Sequence, residues 1–275
     1  MSRKRETLER RGTGLKIFGA FVFFFLYFPL LIVILFSFSR LQTLGGNNSF
    51  TLKWYAELFK DRALMNAFFH SLAVGGIAVV FAIVFGTFGA FFIQRTEFPG
   101  KGIFRTLVML PYLLPGIIVG LTLLIFIRKI NIKLSMFTIL LGHISFTTPL
   151  VMLQVLARLQ RMGPNYEFAA MDLGANPVQT FFYVTLPMIK TAIIGGALLA
   201  FTTSFDEIVI SYFLTGTWMT LPVYVYGMIR FGLSPKVYAV SGIVLCFSIL
   251  IVVLMTRYTG EREEMVRVRK RRQIR

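Results

Sequence analysis

The sequence predicts an all-α membrane protein with six transmembrane helices, and three observations predict it. Of the 275 residues, 56% are hydrophobic and only 15% are charged, more apolar surface than a soluble domain of this length can bury. Apolar runs recur along the chain, each of about 20 residues or more and so long enough for one helix across a hydrocarbon core of roughly 30 Å. Lys and Arg gather at the ends of those runs rather than within them.

The first run, 17–38, follows the basic stretch SRKRETLERRG. That stretch looks like the head of a signal peptide, but the run is too long for one and no A-x-A site closes it. An uncleaved first span is expected. Uncharged runs follow at 71–94, 106–127 and 134–157, the last holding His143. From Thr191 to Ile229 only Asp206 and Glu207 interrupt the apolar sequence. This stretch reads either as one span (190–212) with a loop that partly re-enters, or as two spans joined at the acid pair.

Charge decides between the two. Six spans with both termini in the cytoplasm put most of the 29 Lys and Arg residues inside, whereas seven divide them about evenly. A two-residue hairpin at membrane depth would also leave backbone groups unpaired. The run 237–256 completes six. The RKINIK stretch near Arg128 falls outside in this count, against the charge trend. Residues 1–275 read as a single transmembrane domain. The tail RYTGEREEMVRVRKRRQIR reads as a solvated extension, with a resting place on anionic lipid as the alternative.

Several function classes fall away. A net charge of +17 would suggest nucleic acid in a soluble protein, but here it is a topology signal, so membrane lipid and no nucleic acid is expected as neighbour. Cys246 is the one cysteine, which excludes an internal disulfide and a CxxC metal site. His70 and His143 have no metal-binding spacing and read as satisfied structural histidines. No GxxxxGK[ST] loop is present to cradle nucleotide phosphates. No plausible set of nucleophile, base and oxyanion donors occurs either, so neither catalysis nor a bound cofactor is assigned to the chain.

The six-span topology puts residues 163–188 in the cytoplasm. Pro164 suits a first helical position, and Tyr166, Ala169, Ala170 and Leu173 recur at i, i+3, i+4, i+7 as one apolar face. Gly174 suits the left-handed residue that ends a helix. Asn176 is then a good N-cap for a second helix, with Pro177 in its first turn and Gln179 three residues after the cap. Val178, Phe181, Phe182 and Thr185 keep an apolar spacing, and Pro187 is expected to limit the continuation. A compact amphipathic helix-turn-helix results. It could lie on lipid, but Ala169, Ala170 and Gly174 permit close approach of another surface, so a docking knob for a cytoplasmic partner is preferred.

Asp206 and Glu207 lie deep in an apolar run, where a carboxylate costs roughly 2.5 to 3.5 kcal/mol on insertion scales. They are therefore expected to face protein or water, with packing near the outer interface against a base such as Arg128 or Arg230 as the alternative. Thr203, Ser204, Glu207 and Ser211 fall close to one helical stripe and, with Asp206, read as a translocation path. Asp206 is turned about 100° away, towards Thr202.

The 163–188 segment resembles the cytoplasmic "EAA" signature of type I ABC-transporter permeases. The matching residues are Ala169-Ala170, Asp172-Leu173-Gly174 and Leu186-Pro187. Phe168 stands where that family usually has its Glu, and Glu167 is one residue early. The resemblance extends to FTLKWYAELF, the HSL start of span two, SFDEIVISYFLTG and LPVYVYGMIRFGLSP, which look like the polyamine/opine branch of these permeases. It implies the type I importer fold in a bacterial inner membrane. It also implies a second permease, two ATPase subunits that use ATP and Mg, and an external solute-binding protein. Tyr166, Glu167, Phe168, Ala169, Ala170, Asp172 and Gly174 would belong to the coupling helix that enters the ATPase. Its usual Glu contact would be made by Glu167 or replaced by packing of Phe168, with Phe168 in the ATPase groove and Glu167 at its rim. By the same analogy Trp218 and Tyr224 would form an outer gate or a binding-protein contact. The expected function is passage of a small cationic or amine-bearing, polyamine-like solute through an ATP-driven importer. The rivals are an ion- or proton-coupled secondary carrier using Asp206 and Glu207, and a non-transporting anchor.

Overall fold

The computed structural model describes residues 2–39, 50–230, 236–250 and 253. The charged tail from Arg257, and residues 231–235 of the LPVYVYGMIRFGLSP stretch, lie outside them. Among the described residues there are helices and one isolated antiparallel bridge, Ser39 to Phe50, but no strand. Four helices are long and apolar enough to cross a membrane, or five if one bent pair counts as a single span. A shorter apolar helix, Lys236–Leu250, follows.

The chain divides into two units. The smaller comprises Met1–Asp61 and Met228–Phe247, with α1 (Ser2–Ser37) and α2 (Lys53–Lys60). The apolar part of α1, Phe18–Ser37, is mostly exposed within the chain, and its many phenylalanines suit a lipid-facing surface. At its C-terminal end Ser37 is buried and its Oγ lies 2.8 Å from the Tyr55 hydroxyl. Trp54 Nε1 donates to Ser39 O at 3.0 Å, and Phe38 stacks on Phe50. This polar and aromatic knot ties α2 back onto the end of α1.

The larger unit contains α3 (Arg62–Arg95), α4 (Lys101–Leu113), α5 (Gly116–Lys129), α6 (Met136–Met162), α7 (Asn165–Asp172), α8 (Pro177–Thr180), a π-helical turn (Phe181–Thr185), α9 (Leu186–Asp206) and α10 (Val209–Leu214). Two further helices, α11 (Leu221–Arg230) and α12 (Lys236–Leu250), complete the described chain. In the larger unit α3, α6 and α9 pack on one another. The most apolar stretch of α6 is 56% buried, against 33% for α3, so α6 is the central helix. Its neighbours reach it through glycines. A β-carbon at Gly86 of α3 would stand 2.9 Å from both Met152 N and Thr148 O, and one at Gly196 of α9 would stand 3.1 Å from Val151 Cα. Val151, Met152, Val155, Leu156 and Leu159 fill the space beside these crossings with Ala82, Ala90, Ile93, Ile189 and Ala200.

The structure departs from the expected spans in two places. The run 106–127 is not one helix: α4 and α5 meet at a bend of 102°. Leu114 precedes Pro115 and is extended (φ −77°, ψ 147°), as the clash with a following proline ring requires. Pro187, in turn, does not stop the helix before it. Lacking an N–H, it cannot bond the carbonyl four residues back, and the helix widens instead, with Leu186 N bonding Phe181 O. The chain from Pro177 to Asp206 therefore runs as one continuous 30-residue helical stretch.

Gly86→Val should force backbone against backbone and lower the melting temperature in detergent, by the equivalent of about 1–3 kcal/mol of overpacking. Gly76→Ala, with nothing within 4 Å of its new methyl, should melt at or above the wild-type temperature. Equal melting of the two variants would contradict the glycine contact as the determinant of helix spacing.

Candidate functional site: a surface segment and a broken span

The 163–188 segment is built from local signals. Gly174 N bonds Met171 O at 2.9 Å and Ala175 N bonds Ala170 O at 3.1 Å, the paired closure that ends a helix on a left-handed residue. Gly174 supplies that residue at φ 91°, and no side chain could do so without strain. Two residues on, Gln179 N donates to Asn176 Oδ1 at 2.8 Å and Asn176 N to Gln179 Oε1 at 2.9 Å, the reciprocal box that starts α8. Pro164 caps α7 rather than opening its first turn.

The polarity of α7 is inside out. Tyr166, Phe168 and Leu173 are exposed, Leu173 to 90%, and so are Ala169, Asp172 and Gly174. Ala170 is half-buried. Glu167 is the buried residue of the helix, at 6%. Its carboxylate does not lie at the rim of the exposed face, as the sequence suggested, but points into the chain. Arg95, the last residue of α3, brings Nε to 2.8 Å from Oε2 and donates from Nη2 to Oε1 at 3.0 Å. The same Nη2 donates to Gly163 O at 3.2 Å, and the buried Thr185 donates its Oγ1 proton to Glu167 Oε1 at 2.9 Å. Of the α8 face, Phe181 turns inward onto Phe88 and Phe91, while Val178, Phe182 and Tyr183 are exposed.

At the far end of α9 the expected helical stripe does not lie on one helix. The helix stops at Asp206, Glu207 is extended (φ −73°, ψ 110°), and α10 begins at Val209. Glu207 Oε1 accepts from Val209 N and Ile210 N, both at 2.9 Å, so its carboxylate caps α10. A carboxylate is well suited to satisfy the free N–H groups of a helix start. Ser204 and Ser211, on either side of the break, are both buried and bridged by one imidazole: His143 Nδ1 lies 2.7 Å from Ser204 Oγ and Nε2 lies 2.8 Å from Ser211 Oγ. Thr203 is exposed and bonds Leu199 O, and Thr202 does the same with Leu198 O. Asp206 is exposed. Further on, Trp218 stacks on His70 at 3.6 Å between ring centroids, and His70 Nδ1 lies 2.9 Å from Met219 O. Tyr224 is half-buried at the start of α11, its N–H on Thr220 O.

Sequence reasoning missed Arg95, the inward bond of Thr185, which it placed only on an apolar face, and the bridging role of His143. Arg95 counted only as one more base at a span end. The signal that could have exposed it is the early acid Glu167, which needs a partner if it is not on the surface. Among the described residues no cluster of three or more His, Cys, Asp or Glu could hold a metal ion.

The chain belongs to the family of binding-protein-dependent transport system inner membrane components, whose model matches residues 82–259. It is 36% identical over 255 residues to the putrescine transport system permease protein PotI of Escherichia coli K12, covering 90% of each chain. It is 32% identical over 233 residues to the spermidine/putrescine transport system permease protein PotC of the same strain, covering 84% of this chain and 88% of that one. Among solved structures, a bacterial ABC transporter involved in import of the acidic polysaccharide alginate matches with a TM-score of 0.71 at 18% identity, over 94% of this chain and 99% of that one. The fold is thus the type I importer permease fold. The chain is a multi-pass inner-membrane, non-catalytic permease subunit of an ABC importer.

His143→Phe should leave two buried serine hydroxyls without partners, at about 1–3 kcal/mol each, and lower the melting temperature of the purified protein. Adding Ser204→Ala and Ser211→Ala should recover part of that loss. If the triple variant melts below the single one, the bridge is not what holds the break.

Proposed function

We propose that the chain forms, with a second permease, the inward path for a small polyamine-like cation delivered by an external binding protein. Two ATPase subunits using ATP and Mg drive it from the cytoplasm. In this reading residues 1–275 act as one permease domain crossing the membrane six times with both termini inside, α4 and α5 together making one crossing and α12 the last. The observation that carries the proposal is the inverted polarity of α7: Tyr166, Phe168 and Leu173 stand exposed while Glu167 is buried. An exposed apolar patch on a water-facing segment marks a protein contact, and the ATPase is the partner whose closure must be felt by the spans. Ala169, Ala170, Asp172 and Gly174 complete that contact, while Trp218 and Tyr224 meet the binding protein or gate the outer side.

The nature of the solute is supported by the names of the two polyamine relatives and by the exposed carboxylate of Asp206 at a helix break. Broken helices at membrane depth are tolerated where they line a cavity or are buried in protein. Thr203 and Asp206 face that path, with Glu207, Ser204 and Ser211 shaping the break behind them.

Two measurements on the reconstituted importer test this reading. Leu173→Asp and Gly174→Leu should abolish solute-stimulated ATP hydrolysis, the first by charging the contact and the second by straining the left-handed turn. Normal stimulation in both would rule out α7 as the docking element. Asp206→Asn should lower uptake of a diamine by about tenfold, the scale of a hydrogen bond to a charged group, and Glu207→Gln by less, because an amide oxygen can still cap α10. The reverse ranking would assign the cation to Glu207.

A further inference from the structure

Building on the docking role of α7 just proposed, we infer that Glu167 is a positioning residue that acts inside the chain. Its carboxylate fastens the coupling segment to the ends of both α3 and α9, so that displacement of α7 moves those spans.

Three features of the geometry carry this. First, the carboxylate has a partner on each side. Arg95 ends α3 and grips both carboxylate oxygens, at 2.8 Å and 3.0 Å, and Thr185 stands one residue before α9 and donates to Oε1 at 2.9 Å. Secondly, the close packing of α7 is with α8 and the π-helical turn, so the guanidinium is a link from α7 to α3 across 72 positions of sequence. One charge-assisted hydrogen bond from Nη2 and a close ion contact from Nε hold the carboxylate at short range, as a link that passes on motion must. Thirdly, the link is shut away from the docking face. The side chains of Glu167 and Arg95 are 8% and 16% exposed, whereas Tyr166, Phe168 and Leu173 are more than half exposed. The π-helical turn has a part in the same device: widening the helix at Phe181–Thr185 sets the register at which Thr185 meets Glu167. Arg95 also holds Gly163 O at 3.2 Å, so the exit from α6 is tied to the same point.

The separation of faces makes the inference testable. Glu167→Gln, Arg95→Lys and Thr185→Val are made in the full transporter, reconstituted with its ATPase and binding protein, beside Leu173→Asp on the exposed face. The readouts are retention of the ATPase on the purified permease, melting temperature, and diamine taken up per ATP hydrolysed. Glu167→Gln and Arg95→Lys should retain the ATPase but lower uptake per ATP at least about fivefold, the low end of coupling between sites. Thr185→Val should act in the same direction by a smaller factor. A merely structural staple would lower the melting temperature and leave uptake per ATP unchanged, and that result would overturn the inference. So would release of the ATPase by Glu167→Gln with retention by Arg95→Lys, which would put Glu167 on the docking face. Where Glu167→Gln fails to assemble, an unchanged uptake-to-ATP ratio in both Arg95→Lys and Thr185→Val overturns the inference equally. If Leu173→Asp keeps the ATPase bound and transport normal, the docking role of α7 fails instead, whatever the other three variants do.

Discussion

Because Gly86 and Gly196 carry no side chains, α6 lies against α3 and α9 with backbone close to backbone, and that contact fixes both functional ends of the larger unit. In lipid there is little hydrophobic gain from bringing two helices together, so van der Waals fit at small residues has to supply the association. Once the three helices are locked at this distance, Arg95 at the end of α3 and Thr185 just before α9 both reach the carboxylate of Glu167. At the other end His143 of α6 is close enough to bridge Ser204 and Ser211. A β-carbon at either glycine would push the helices apart and loosen both arrangements together.

The breaks in the helical framework follow a second constraint. Backbone groups freed where a helix breaks in an apolar setting must find partners within the protein. Glu207 supplies an acceptor to the start of α10 and Thr138 of α6 donates to Leu214 O at its end; at the surface segment the widened turn before Pro187 re-pairs Phe181 O one residue further along. The side chains that look most like transport machinery in a linear sequence are thus partly engaged in making an irregular backbone tolerable. Asp206 is the acid of the pair that this task leaves exposed.

Much of the fold was legible in the sequence because its signals are local. The turn at Gly174 and the box at Asn176 and Gln179 depend on residues within a few positions, and the structure closes both as expected. The 163–188 segment was therefore recognisable before its surroundings were known. The orientation of Glu167 was not, because it is decided by an arginine 72 positions earlier that helical periodicity cannot connect to it. The stripe of Thr203, Ser204, Glu207 and Ser211 assumed an unbroken helix. The alternative of two spans joined at the acid pair did place a break there, but only the structure shows that Glu207 caps the helix after it. Pro111 and Pro115 lie inside the uncharged run read as one span, and the 102° bend between α4 and α5 went unread.

The outward-facing grease of α7 and α8 also bears on the life of the chain before assembly. Within the chain alone Leu173, Val178 and Tyr183 are uncovered, at 90%, 65% and 81% exposure. Such a patch is a site for clumping with its own kind or for capture by quality-control proteases. The hazard scales with the time the subunit waits alone.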